Sequence, residues 1–147
     1  LWVSRRGLSS RFAGVIGLDY SVCWDFPVAL KHYNHYRNNT CTYYLQKLGL
    51  TVVPQARCER ADYRETLAGF PQHSSIAIGA RSMVKRPEDR TRLEESVQLI
   101  VDYLEPAHLI WYGSTKYDVT RYPASMGIPI EVFQGKGRGS LSGQEVR

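Results

Sequence analysis

Short apolar runs alternate along this chain with stretches in which apolar residues recur every three or four positions. Residues 13–18 form an apolar run interrupted by Gly14 and Gly17. Such a run suits a buried strand whose glycines let a neighbour approach closely. Runs at 50–56, 74–78, 107–112 and 128–133 predict four more strands. Pro54 has no N–H to give a ladder and marks an irregularity or an end in the second of them. The first helix is predicted over 27–48, with Asp25 and Pro27 at its start and Gly49 just past its end. Its apolar stripe reads Leu30, Tyr33, Cys41, Tyr44, Leu45 and Leu48, and Arg37 falls on the same stripe. A charge there must be paired or must reach a cleft.

Residues 63–67 predict a short helical piece, ended by Gly69 and Pro71. Pro87 opens the second clear helix, with Glu88 and Asp89 in its first turn and Pro106 beyond its end. Its stripe is Leu93, Val97, Ile100, Val101 and Leu104, while Arg90, Arg92, Glu94 and Glu95 read as a solvated outer face. A short helix near 119–126 leads through Gly127 to the last strand.

Strands alternating with helices imply right-handed crossovers and a parallel sheet. The expected fold class is α/β, a mostly parallel five-stranded sheet with flanking helices, as a three-layer domain or a partial barrel. Residues 1–12 read as a basic lead-in, 13–133 as a single α/β domain, and 134–147 as a flexible basic tail rich in Gly and Ser. A chain of 147 residues is long enough for one domain with its own core. Its apolar share of 43% and charged share of 22% place it among ordinary globular proteins.

No apolar run approaches the roughly 18 residues of a membrane span. Leu1, Trp2 and Val3 are followed by Ser4, Arg5 and Arg6, without the apolar core of a signal peptide. An intracellular, cytoplasmic protein with no membrane partner is expected, and the missing initiator Met suggests a trimmed chain or a fragment. The net charge of +5 fits a polyanionic partner, and equally the surface of many soluble domains. Cys23, Cys41 and Cys58 lie far apart with no Cys-x-x-Cys pair, which disfavours structural zinc and points to reduced thiols.

In parallel α/β folds, ligands collect beyond the carboxyl ends of the strands. Those ends here supply Asp19, Tyr20, Ser21, Arg57, Glu59, Arg81, Ser82, Tyr112, Gly113 and Ser114, with Tyr36 and Arg37 arriving from the first helix. Arginine forks suit phosphate or carboxylate. Asp19 is the candidate catalytic carboxylate, as general base or magnesium ligand. The plainer alternative is a buried stitch of Asp19 or Glu59 with Arg37 or Arg57. Glu59 alone reads more simply as a solvated loop residue. Residues 113–116 lack the phosphate-loop spacing, so an ordinary strand-to-helix turn outweighs an anion cradle. His32 and His35 read as exposed helix histidines rather than a metal pair, and no metal site is expected. Tyr20, Tyr33, Tyr36, Tyr43 and Tyr44 crowd the first strand and helix, where they could stack bases or simply pack.

Leu18-Asp19-Tyr20-Ser21, then Phe26-Pro27-Val28-Ala29-Leu30, then Tyr36-Arg37-Asn38 resemble the family called domain of unknown function 4417. Gly49 to Pro54, Ser82 to Asp89, Leu104-Glu105-Pro106 and Trp111 to Ser114 match it in the same order. The resemblance implies a protein of bacteria, archaea, phages or mobile elements, acting in the host cytoplasm if phage-encoded. It assigns no activity and no cofactor. Family members carry an upstream strand with an acidic and aromatic motif that is absent here, and an aromatic where this chain has Glu59. That difference implies a truncated or purely binding version.

Three functions are therefore expected in order. The first is binding of nucleic acid or a nucleotide or phosphate ligand at the strand ends. The second is a hydrolase or transferase acting on a small phosphorylated or nucleoside substrate. The third is a non-catalytic subunit held to protein partners, with Arg5, Arg6, Lys136 and Arg138 as attachment tails.

Overall fold

The computed structural model describes residues 12–81 and 83–134. The expected basic lead-in, the tail and Ser82 lie outside them, except for Phe12 and Gln134. The elements in order are β1 (Val15–Ile16), α1 (Val28–Lys47), β2 (Val52–Val53), α2 (Tyr63–Leu67), β3 (Ser75–Gly79), α3 (Pro87–Leu104), β4 (His108–Tyr112), a 3₁₀ turn (Lys116–Asp118), α4 (Arg121–Ser125) and β5 (Ile130–Phe133). All strand pairings among the described residues are parallel. The mixed α/β class is as the alternating pattern implied.

The single five-stranded sheet is not. Among the described residues the strands form a two-stranded sheet, β1-β2, and a three-stranded sheet, β3-β4-β5, with no barrel, and a single isolated bridge, Gln55 to Ala77, links the two. Pro54 explains the interruption. It accepts from Ala77 N–H at 2.9 Å, but has no N–H to return, so the ladder cannot become continuous there.

The core lies between α3 and the second sheet. Ile76, Ile78, Leu109 and Trp111 pack with Leu93, Val97, Ile100, Val101 and Leu104. Each such side chain contributes about 1.5–3 kcal/mol on burial. The predicted stripe of α3 is therefore the buried one. Its outer face is less free than expected, because Arg90 lies 4.2 Å over the Tyr117 ring and Arg92 lies 3.9 Å over Trp24. Glu95 pairs with Arg60. Successive strand residues point to opposite faces, so Ala77, Ile110 and Tyr112 face away from α3.

The first helix departs from its predicted stripe. Its buried residues are Lys31 and Asn34, while Leu30, Tyr33 and Tyr44 are exposed. Cys41, Leu45 and Leu48 of the predicted stripe are half-buried, so the departure lies mainly in the first half of the helix, where the inward face is one residue further along. The reason is the backbone beyond β1. The ladder ends at Ile16, and the polar groups of residues 20–21 then need partners. Asn38 Oδ1 accepts from Tyr20 N–H at 2.6 Å, and Asn38 Nδ2 donates to the Tyr20 carbonyl at 3.2 Å. Asn34 Nδ2 donates to the Ser21 carbonyl at 2.8 Å. Polar side chains must face inward for these bonds to form.

Gly113 ends β4 at φ 137°, where a Cβ would lie 2.8 Å from Arg81 N and 2.9 Å from Ala80 C. Gly127 has φ 74° with nothing within 4 Å of its Cβ position. Gly127→Ala therefore carries only the left-handed backbone penalty, about 1–2 kcal/mol. Gly113→Ala adds a collision with backbone atoms that cannot swing aside. In chemical denaturation the Gly113 variant should lose clearly more stability than the Gly127 variant, and equal losses would contradict the close approach.

Candidate functional site

The carboxyl ends of β1 to β4 form a row of polar groups. After β1 the chain presents exposed Asp19, half-buried Tyr20 and exposed Ser21. Asp19 Oδ2 lies 3.8 Å from where a Gly79 Cβ would stand, beside Gln55. The glycine at the end of β3 leaves room for the Gln55 amide and the Asp19 carboxylate. Asp19 has no cation within ion-pair distance among the described residues.

Arg37 reaches the same end from α1. Its guanidinium lies 3.6 Å from the Tyr20 ring centroid and 5.5 Å from that of Tyr33. Its Nη1 donates only a long bond, 3.4 Å, to Asn34 Oδ1. The Tyr20 backbone is fixed by Asn38, one residue along the helix from Arg37, so the ring and the guanidinium are held in register. Aromatic faces attract cations without neutralising them, so the arginine's charge remains available.

Arg57 spans the first and second sheets. It donates to the Val22 carbonyl at 3.5 Å and to the Gly79 carbonyl at 3.3 Å. Arg81 is exposed and donates to the Tyr112 hydroxyl at 3.4 Å. Gly113 packs directly behind Arg81. The expected stitch of Asp19 or Glu59 with Arg37 or Arg57 does not form. Arg37, Arg57 and Arg81 have no carboxylate partner within ion-pair distance among the described residues.

Glu59 is engaged elsewhere, and so is not a free loop residue. Lys31 Nζ donates to both its oxygens at 2.8 Å, with the lysine side chain only 7% exposed. Beside this pair, His32 Nε2 lies 3.3 Å from Asp62 Oδ2. His35 is half-buried rather than exposed. Burial holds its pKa below the ordinary histidine value, with Asp62 and Glu59 opposing the shift and His32 and Arg57 adding to it. Among the described residues no group of three or more His, Cys, Asp or Glu is placed to hold a metal ion.

Two expected residues stand apart from the row. Tyr36 lies on the solvent face of α1 at 66% exposure. Ser114 serves its own turn. Its Oγ accepts from Lys116 N–H at 3.1 Å, and its carbonyl accepts from Trp111 Nε1 at 3.2 Å. A groove of about 720 Å³ lies elsewhere, between α3 and residues 117–125, with Arg60, Glu94, Glu95, Asp118 and Arg121 in its lining. Its charges are of both signs and Arg60 is already paired, so it offers less to an anion than the strand ends do.

Sequence reasoning missed Lys31, Asn34, Asn38 and Gln55. The first three were legible as a polar stripe at three- and four-residue steps on a helix that otherwise looked apolar. Gln55 carried no such signal. Of the cysteines, Cys58 is buried, and all three are free thiols. Burial pushes the Cys58 thiol up to about 12.

The family model described as Domain of unknown function (DUF4417) matches residues 7–127, and the chain belongs to this family. It is similar to the Gene 1 protein of Mycobacterium phage D29, with 27% identity over 134 residues, 84% of this chain and 50% of that protein. It is also similar to the Gene 1 protein of Mycobacterium phage L5, with 26% identity over 113 residues, 71% of this chain and 49% of that protein. The chain thus spans about half the length of these phage relatives. No solved structure matches the chain significantly. Among the described residues no helix is long and apolar enough to cross a membrane.

The lowered pKa of His35 sets a pH dependence. The folded state takes up this proton less readily than the unfolded chain. The stabilising contribution is therefore present above the ordinary value of 6.5 and is lost as pH falls through the lowered folded value. From about pH 7.5 to about pH 5.5 the Tm of the wild type should fall more than that of His35→Gln. Parallel curves for the two proteins would remove His35 from this role.

Proposed function

We propose that this DUF4417 protein binds nucleic acid, or a nucleotide or other phosphate ligand, at the carboxyl ends of β1 to β4. One observation carries the reading. Arg37 on α1, Arg57 after β2 and Arg81 after β3 all stand at the carboxyl-end side of the strands, and no carboxylate neutralises them among the described residues. Arg37 and Arg81 keep guanidinium edges free for phosphate oxygens, while Tyr20 and Tyr112 offer ring faces or hydroxyls beside them.

The test is fluorescence anisotropy with labelled single-stranded DNA, duplex DNA and RNA, and competition by mononucleotides, at two salt concentrations. Affinity should fall with salt. Arg37→Ala should weaken binding by roughly tenfold or more while the fold persists. Binding unchanged in that variant would take the ligand away from the strand ends.

The unpaired Asp19 favours a second reading, hydrolysis or group transfer on a small phosphorylated or nucleoside substrate. Its carboxylate stands beside Gln55 and Gly79 with no cation within ion-pair distance among the described residues. As a general base or magnesium ligand it would be required for turnover. Asp19→Asn should then abolish turnover of such a substrate at unaltered Tm, and retained turnover would dismiss the residue from the role.

A further inference from the structure

Two unengaged polar side chains meet at Gly79, the last residue of β3. The position its Cβ would take lies 2.8 Å from Gln55 Nε2 and 3.8 Å from Asp19 Oδ2, so the amide and the carboxylate stand within 4 Å of one point. Gln55 comes from the seam between the two sheets, where it bridges to Ala77, and Asp19 comes from the exit of β1. Arg57 Nη2 donates to the Gly79 carbonyl at 3.3 Å and fixes the backbone there. A side chain at position 79 would displace the amide, so glycine is what admits it.

Tyr112 completes the cluster. It is the register partner of Gly79 on β4. Register partners share a face of the sheet, so the Tyr112 ring lies on the side where Gly79 would carry its Cβ. The ring is 37% exposed, and its hydroxyl accepts from Arg81 Nη1 at 3.4 Å. The side-chain bonds of the strand ends leave the Gln55 amide and the Asp19 carboxylate unengaged among the described residues.

Phosphate alone would not use this cluster, since a carboxylate repels it. A carboxylate beside an amide suits a ligand that sets N–H donors next to an acceptor. The face of the Tyr112 ring suits a flat one. Guanine sets two adjacent donors, its ring N1–H and its 2-amino group, beside the O6 carbonyl on a single edge. The carboxylate accepts from both donors, and the amide donates to O6. Adenine and cytosine turn an unprotonated ring nitrogen to the carboxylate, and uracil offers it one donor between two carbonyls. We propose that Asp19, Gln55 and Tyr112 form a guanine-reading subsite at Gly79, with the base on the Tyr112 ring and its phosphate among the strand-end arginines. The assignment rests on the phosphate-ligand reading above and adds the base to it.

The test is competition against a labelled single-stranded oligonucleotide in fluorescence anisotropy. The competitors are the 5′-monophosphates of guanosine, inosine, xanthosine, adenosine, cytidine and uridine, and ribose 5-phosphate. The guanosine nucleotide should compete roughly tenfold better than the adenosine, cytidine and uridine ones. Inosine lacks the 2-amino group and should also lose roughly tenfold. Asp19→Asn should reverse the order at unaltered Tm. Xanthine carries a carbonyl where guanine has its 2-amino group, and the asparagine amide donates to it. The xanthosine nucleotide should therefore gain and the guanosine nucleotide lose, an exchange that a merely structural Asp19 would not produce.

Equal competition by all the nucleotides and by ribose 5-phosphate would overturn the guanine subsite. So would competition by none of them, or an unchanged order in Asp19→Asn. In each of these cases oligonucleotide binding that Arg37→Ala still abolishes would leave the phosphate site standing. No binding of any oligonucleotide or nucleotide by the wild type at low salt would overturn both.

Discussion

The arrangement of the whole N-terminal flank depends on where the backbone of residues 20–21 finds its hydrogen bonds. The β1 ladder stops after two residues, and a buried amide or carbonyl left unpaired costs about 1–3 kcal/mol. Asn38 closes two bonds on Tyr20, and Asn34 closes one on Ser21. These bonds decide which side of α1 faces inward. Once Asn34 and Asn38 are inside, Arg37 lies next to them and meets the Tyr20 ring at 3.6 Å. Leu30 and Tyr33 are turned out as a consequence. The same constraint therefore aims the arginine at the strand ends and leaves the apolar side chains uncovered.

The two parts of the molecule are held by different forces. The α3 side rests on apolar burial, with Trp111, Ile100 and Leu109 at or near complete exclusion from water. The α1 side rests on side-chain amides and the Lys31–Glu59 pair, each hydrogen bond of which contributes only about 0.5–1.5 kcal/mol net, or somewhat more where charged. Stability should accordingly be unequal, with α1 the easier element to open.

The sequence made the elements legible where periodicity and packing agree. The stripe of α3, the strands 74–78 and 107–112, and the helix bounded by Pro27 and Gly49 all needed only local pattern. It misled where tertiary hydrogen bonding outweighed the pattern. On the first half of α1 the apolar positions Leu30 and Tyr33 were read as core, but the positions one step along carried the groups that the β1 exit required. Pro54 was legible as an interruption, and only the paired strands show that it separates two sheets. Arg90 and Arg92 read as solvated because nothing local marks Tyr117 and Trp24 as their stacking partners. Of the site, the strand-end row was readable from topology alone. The partner of Glu59 was not, since Lys31 is 28 residues distant and no local rule links them.

The distribution of acids explains why the strand ends remain positive. Glu59 is taken by Lys31, Asp62 faces His32, and Glu95 holds Arg60. Each of these contacts draws a carboxylate towards α1 or α3 and away from Arg37, Arg57 and Arg81. Asp19 is the acid that remains at the strand ends without a partner among the described residues. One unpaired carboxylate amid three unneutralised guanidinium groups leaves a net positive field there. Such a field does not require the chain's overall charge of +5 and would survive its removal from the distant surface. Local pairing at the strand ends thus favours an anionic ligand more than the general basicity of the chain does.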